Sequence, residues 1–293
     1  MPHIVAIEEY RAAALSRVLP PHWLEAADGL DPRRGVDETT VIEDEPLSAA
    51  DVSRSPELPV EQPSQENATV THWQQLPIRD TSTAWGWVRQ RFVPGSAPLS
   101  LADILSIHRM VAEQSGIHHG SAGALRILAV KVGRTEVGGL HFGAPAEKLP
   151  LVMDQYVQFI DSPKLRSLPP VIHALLAHFF FDTIHPFLDG NGRTSRLVAA
   201  AILARHGYNM HGTYALVRHF YRHEIRYHTI LHRSWRRCPF EVTPFVAFGM
   251  EGLVMELKSV DSFIKMKVNR IVDGDLRAPA LRGRIGARPR MLN

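Results

Sequence analysis

The chain has one cysteine, Cys238, in 293 residues. An intrachain disulfide is therefore excluded, and a reducing, cytoplasmic setting is the expectation. No uninterrupted apolar run approaches the ~20 residues of a membrane span. The opening MPHIVAIEEYRAA carries acidic residues where a secretory leader needs a basic stretch and then an apolar one. No segment repeats at a fixed period, which argues against a repeat architecture. A GxxxxGK loop followed by Ser or Thr is missing, so a P-loop nucleotide-binding core is excluded. A surplus of one charge is also missing: 33 basic and 30 acidic side chains leave a net +3, too little to argue for nucleic acid. The remaining composition, 45% hydrophobic and 22% charged, is that of a globular chain long enough to bury a core.

The spacing of apolar residues predicts a mostly α protein with one small hairpin. Ala12 to Leu19 reads as a helix stopped by Pro20 and Pro21. Residues 53–66 carry three prolines among polar side chains and read as a loop or linker. Leu101 to Gln114 reads as a helix capped by Ser100, with Leu101, Ile104, Leu105, Ile107 and His108 near one face. Residues 125–142 alternate apolar and polar positions around turn formers and read as a hairpin or flap. Helical spacing resumes over Leu149 to Ile160. Val171 to Thr183 is apolar nearly all round and predicts a central buried helix. Thr194 to His206 ends at Gly207, a helix stop. Residues 217–232 and 243–258 read as further helices, and the tail from about Asp273 as poorly packed. Three units follow: 1–99 as an N-terminal helical region, 100–255 as the core, and 256–293 as a helix end with a basic tail.

The chemistry concentrates in residues 185–196, HPFLDGNGRTSR. This segment joins a buried helix to an amphipathic one and so lies at a helix N-terminus. Gly190 and Gly192 let backbone N–H groups approach a ligand closely. Those groups and the positive end of the helix dipole suit a phosphate. Arg193 and Arg196 add two guanidinium forks for further phosphate oxygens. Asp189 is a hard oxygen donor of the kind Mg²⁺ takes. His185, with an ordinary pKa near 6.5, can accept a proton from an attacking hydroxyl. A base, a metal ligand, an anion cradle and two cations serve phosphoryl or nucleotidyl transfer.

The same segment resembles the signature of the Fic family, HxFx(D/E)GNGRxxR, and matches it at every fixed position. The resemblance implies a Fic-type helical bundle with a small β-hairpin flap, and a protein adenylyltransferase that moves AMP from ATP to a Ser, Thr or Tyr hydroxyl. It implies His185 as general base and Asp189 as the Mg²⁺ ligand. Gly190, Asn191 and Gly192 would hold the α- and β-phosphates, Arg193 and Arg196 the outer ones, and Phe187 would anchor the loop. Family members often carry an inhibitory helix, (S/T)xxxE(G/N). Residues 39–45, TTVIEDE, are similar, within a region spanning about 36–52. Glu43 would be the inhibitory carboxylate and Arg196 its partner, although Asp44 stands where Gly or Asn is usual. Leu140, His141 and Phe142 fall where the family's flap docks its target by strand pairing.

The implied partners are ATP, a target protein, and this chain itself through self-modification or a homodimer. No membrane is implied. DNA would enter only if the basic tail GRIGARPRMLN begins a winged helix, as long family members carry after the core. Another nucleotide donor, removal of AMP, or a regulator built on the same core are the alternatives. Several features carry no function. His219 and His223 lie four apart, as do His228 and His232, but they read as surface or partly buried histidines. His223 and His228 in HEIRYH are five apart, about 140° out of line on a helix, so this is not a zinc motif. Tyr221 and Tyr227 could shape a nucleotide pocket or simply pack in the core. Cys238 has no catalytic setting.

Overall fold

The computed structural model describes residues 2–15, 83–112, 121–132, 141–208, 216, 219, 220 and 222–277. The described chain is mostly helical, with one two-stranded antiparallel pair. The helices are α1 (Pro2–Leu15), α2 (Leu101–Ala112), α3 (Leu149–Ile160), α4 (Pro163–Arg166), α5 (Pro170–Ile184), α6 (Asn191–Arg205), α7 (Glu224–Trp235) and α8 (Thr243–Arg277). Residues 83–91 are helical as well. Strand β1 (Lys131–Val132) pairs with β2 (His141–Phe142), Lys131 opposite Phe142 and Val132 opposite His141.

Helix α5 is the axis of the bundle. Pro169 and Pro170 start it, since proline tolerates the first turn, where N–H groups lack intrahelical partners. Its side chains are apolar nearly all round, and α6, α3 and α8 pack against it. Phe179, Phe181, Ala174, Leu175 and Ala177 are fully buried. Helix α6 presents Leu197, Val198, Ala201 and Leu203 to the same core and also meets α2. Helix α2 starts in a capping box. Ser100 Oγ accepts the N–H of Asp103 at 3.1 Å, and Asp103 Oδ2 accepts the N–H of Ser100 at 2.9 Å. Among the described residues no helix is long and apolar enough to cross a membrane.

Several elements depart from the reading by periodicity. Helix α1 starts at Pro2, ten residues before Ala12, because it lies against α8 with Ile7 buried and needs little amphipathic patterning of its own. Helix α6 starts at Asn191, inside the Gly-rich segment. Helix α8 runs to Arg277, through the line drawn at 255 and into the tail expected from Asp273. The alternation at 125–130 is irregular backbone, not strand, and Ile127 is 86% exposed. Ile7, Trp85, Val88 and Phe92 share one core with the 100–255 stretch, so packing is continuous across position 99. The region 36–52, the loop 53–66, Pro20, Pro21, Tyr221 and the tail beyond Arg277 lie outside the described residues.

Close approach to α8 depends on two of its glycines. A Cβ at Gly249 would overlap the side chain of Leu175, which is fully buried, and one at Gly252 would fall inside the ring of His219. Gly→Ala in a helix ordinarily stabilises by about 1 kcal/mol. Here the sign reverses: Gly252→Ala should lower the unfolding free energy by roughly 1–3 kcal/mol, the cost of overpacking. Denaturant titration with an unchanged m-value checks this.

Candidate active site

Six residues, 185–190, separate the end of α5 from the start of α6. Pro186 has no N–H to donate and disfavours a helical residue before it. His185 accordingly leaves the helix in the left-handed region, φ 51° and ψ 62°, while its N–H still bonds Phe181 O at 2.9 Å. It is the one described non-glycine residue with positive φ. Such a conformation costs of order 1–2 kcal/mol and persists only where the surroundings hold it.

The surroundings hold the loop from inside. Phe187 is fully buried and stacks on His108, ring centroids 3.6 Å apart and ring planes nearly parallel. Asn191 spends both ends of its amide on Phe187: Oδ1 accepts the Phe187 N–H and Nδ2 donates to the Phe187 carbonyl, each at 2.9 Å. Its side chain is therefore a loop brace, and what it can offer an anion is its backbone N–H. His108 braces the other half. Gly123 N–H donates to His108 Nδ1 at 2.9 Å, which leaves the ring proton on Nε2, directed at the Asp189 carbonyl 3.0 Å away. Burial lowers this imidazole from 6.5 to about 4, against the pull of the Asp189 carbonyl. The ring stays neutral.

The other side of the loop follows from the same turn. Gly190 takes φ 71° as the residue before α6, where a side chain would be strained, and among the described residues no side chain caps the helix. The first intrahelical bond is Thr194 N–H to Gly190 O, so the N–H groups of residues 191–193 precede the ladder at the positive end of a 15-residue helix. Asp189 is about one-third exposed beside them. Its Oδ1 accepts the Gly190 N–H at 2.7 Å and its Oδ2 the Arg193 Nη2 at 3.2 Å. Arg193 also reaches the Val111 carbonyl at 3.2 Å, and the side chains of Arg193 and Arg196 are nearly buried.

His185 is half-buried. Burial lowers its imidazole from 6.5 to about 4, with the Asp182 carboxylate and carbonyl pulling it up and Arg126 and His141 pushing it down. At neutral pH it is an uncharged base. Beneath it, Asp182 Oδ2 lies 3.0 Å from Tyr227 OH and 3.1 Å from His178 Nε2, and His178 Nε2 lies 2.8 Å from the same hydroxyl. Burial would raise the Asp182 carboxyl, but His178 and hydrogen bonds from His178 and Ser195 outweigh it, so its pKa is lowered. Tyr227 is thus a core residue, 2% exposed.

The structure brings His185, Asp189, Gly190, Asn191, Gly192, Arg193 and Arg196 into one loop and helix start. Glu43 and Leu140 lie outside the described residues. The two described flap residues differ in surroundings. His141 stacks on Trp235 at 4.3 Å and its Nε2 lies 2.9 Å from the Thr183 carbonyl, tying β2 to α5, whereas Phe142 is 64% exposed. Arg126, His108 and Asp182 are contributors that sequence reasoning missed. Arg126 had no signal, since it reads as one polar position in an alternating run. His108→Phe keeps the ring on Phe187 but leaves Asp189 O and Gly123 N–H without their partner. These two part-buried groups cost roughly 1–3 kcal/mol together, and thermal or denaturant unfolding of the variant measures it.

Comparison with known proteins agrees with this geometry. Residues 98–203 match the model of the Fic/DOC family. Over 110 residues the chain is 39% identical to the protein adenylyltransferase Fic of Drosophila grimshawi, a match covering 38% of this chain and 21% of that protein. It is 36% identical over 110 residues to the Drosophila melanogaster protein of the same name. The chain thus spans about a fifth of the length of these curated relatives. In fold it is similar to a Fic domain containing signaling protein from Bacteroides thetaiotaomicron, with TM-score 0.68, 19% identity, 90% of this chain and 97% of that one covered. A Fic family protein from Desulfovibrio desulfuricans aligns with TM-score 0.63 at 18% identity, over 96% of this chain and 77% of that one. The chain thus carries, at residues 98–203, a domain that matches the Fic/DOC family, within a fold similar to that of Fic-domain structures.

Proposed function

We propose that this chain is a protein adenylyltransferase that moves AMP from ATP onto a Ser, Thr or Tyr hydroxyl of a target protein. The observation that carries the reading is a neutral histidine base held one short loop away from an open helix N-terminus. The names of the relatives, protein adenylyltransferase, support the same reaction. In the proposed step the target hydroxyl oxygen bonds the α-phosphorus while its proton passes to His185. The bond from the α-phosphorus to the bridging oxygen breaks, and pyrophosphate leaves with the electron pair. The N–H groups at the start of α6 cradle the phosphates, Gly190 and Gly192 allow their approach, and Arg193 and Arg196 face the outer oxygens.

Asp189 would hold Mg²⁺. Among the described residues no cluster of three or more His, Cys, Asp or Glu side chains could hold a metal unaided. A lone, partly exposed carboxylate beside a phosphate cradle fits an ion that takes most of its oxygens from phosphates and water. When bound, the ion neutralises charge on the leaving pyrophosphate. Phe142, exposed on β2, and Leu140 before it are proposed to line the strand that a target segment pairs with, while His141 anchors that strand. The single cysteine supports a cytoplasmic setting.

Incubation of the chain with labelled ATP and Mg²⁺ tests the reading, with transfer of labelled AMP to protein as the expected result. His185→Ala should lower that transfer by about 10²–10⁴-fold while ATP still binds, because the base acts on the incoming hydroxyl. Parallel loss of nucleotide binding and turnover would count against the role.

Glu43 is proposed to be an inhibitory carboxylate that meets Arg196 and keeps the γ-phosphate from it. A charge-assisted pair is worth about 1.5–3 kcal/mol, so Glu43→Gly should raise self-modification by roughly ten- to a hundred-fold. The rate at saturating ATP is compared with wild type, alone and with Asp44→Gly. Rates no higher than wild type in both variants would leave residues 39–45 as an acidic surface.

A further inference from the structure

Four consecutive carbonyls at the end of α5 all accept hydrogen bonds from the segment that carries the flap. His141 Nε2 lies 2.9 Å from Thr183 O. The Ala144 N–H reaches Ile184 O at 2.9 Å. The side chain of Arg126 donates from Nε to His185 O at 2.8 Å, and its backbone N–H donates to Pro186 O at 3.0 Å. The same guanidinium closes the loop on itself: Nη1 donates to Leu128 O at 2.6 Å and Nη2 to Ala144 O at 2.5 Å, with Ile184 O at 3.5 Å. Arg126 is 3% exposed, and none of these bonds goes to a carboxylate. The backbone of the flap's return passes directly above, for a Cβ at Gly143 would lie 2.7 Å from Arg126 Nη2 and 3.2 Å from His185 Cβ.

A buried arginine with no carboxylate partner among the described residues needs a physical reason, and the end of α5 supplies it. The last carbonyls of a helix have no intrahelical partners and form the negative pole of its dipole. Pro186, lacking an N–H, cannot help to cap them. A guanidinium there gains charge-assisted bonds to several carbonyls at once. We propose that Arg126 is a positioning residue for His185: it fastens the foot of the flap to the end of α5 and so sets where the base stands relative to a hydroxyl docked on β2. The proposal rests on the adenylyltransferase reading for its rate effect, but not for its effect on His185.

Arg126→Met keeps the side-chain length and removes every donor, whereas Arg126→Lys keeps the charge and a few bonds. On the full chain, kcat for AMP transfer at saturating ATP should fall about 10²-fold in Arg126→Met, the scale of a 1 Å misplacement. ATP affinity, read with a fluorescent ATP analogue, should stay within about threefold, since the phosphate cradle lies on the other helix. Arg126→Lys should recover about tenfold of the loss.

A second readout needs no turnover. The His185 imidazole is titrated by NMR at its Cε1–H signal, assigned by its loss in His185→Asn. Among the described residues, the groups facing that ring are Asp182, Arg126 and His141. Its wild-type midpoint should lie at about 4, and it should move up toward 6.5 in Arg126→Met, where a cation and part of the enclosure are gone. If the midpoint moves while even wild type transfers no AMP, the adenylyltransferase reading fails and the positioning of His185 stands. If Arg126→Met does not fold, Arg126→Lys carries both measurements. An unchanged midpoint and kcat in a folded variant, equal losses of ATP affinity and kcat, or unfolding of both variants would overturn the proposal in favour of a purely structural arginine.

Discussion

The end of one buried helix and the start of the next lie six residues apart, and their poles are opposite. The carbonyls that finish α5 form a negative end, and the N–H groups that begin α6 form a positive one. A buried helix end needs partners from protein, water or a ligand. The chain treats them differently. It caps the carbonyl end with its own groups, through His141, Ala144 and Arg126, and among the described residues puts no side-chain cap on the N–H end. The uncapped end is the one proposed to receive an anion. The site therefore arises from how two helix ends are satisfied as much as from the residues displayed on them.

That division works only if the loop between the helices does not move. Its rigidity comes from the core. Phe187 is buried against His108, Asn191 bridges back to the Phe187 backbone, and His108 fastens the Asp189 carbonyl to the Gly123 turn. Each brace spends a polar group on the loop's own backbone, so these side chains serve geometry and leave backbone N–H groups facing outward. Left-handed His185 is tolerated in such a frame because the bonds around it outweigh a cost of order 1–2 kcal/mol.

The His185 imidazole gains its character from the same burial. An enclosed imidazole resists protonation, and the opposing influences of Asp182 and Arg126 set how strongly. Asp182 is kept ionised by His178 and tied to Tyr227, so a charged network lies under the loop. The flap is joined to the same helix end. Its strand β2 shows Phe142 to solvent and turns His141 inward onto Trp235, dividing one dipeptide between display and anchorage.

The residues of 185–196 were legible in the sequence because their chemistry is local: glycines that open a backbone, a proline that stops a helix, and charges at fixed spacing. The central apolar helix was legible for a similar reason, since burial on all sides leaves no polar face. Helix α3 was readable from its periodicity alone. What could not be read depends on partners distant in the chain. Helix α1 forms against α8, which lies at the other end of the sequence. The apolar alternation at 125–130 suggested a strand, yet that backbone is held irregular by bonds to Pro186 and by the Arg126 side chain. Arg126 itself is a single arginine among hydrophobic residues, and its surroundings exist only once 126, 144 and 184–186 are folded together. The sequence by itself determined which groups are proposed to handle a phosphate and a proton. Only the tertiary structure decided how they are held, because a helix end is capped by whatever the fold brings to it.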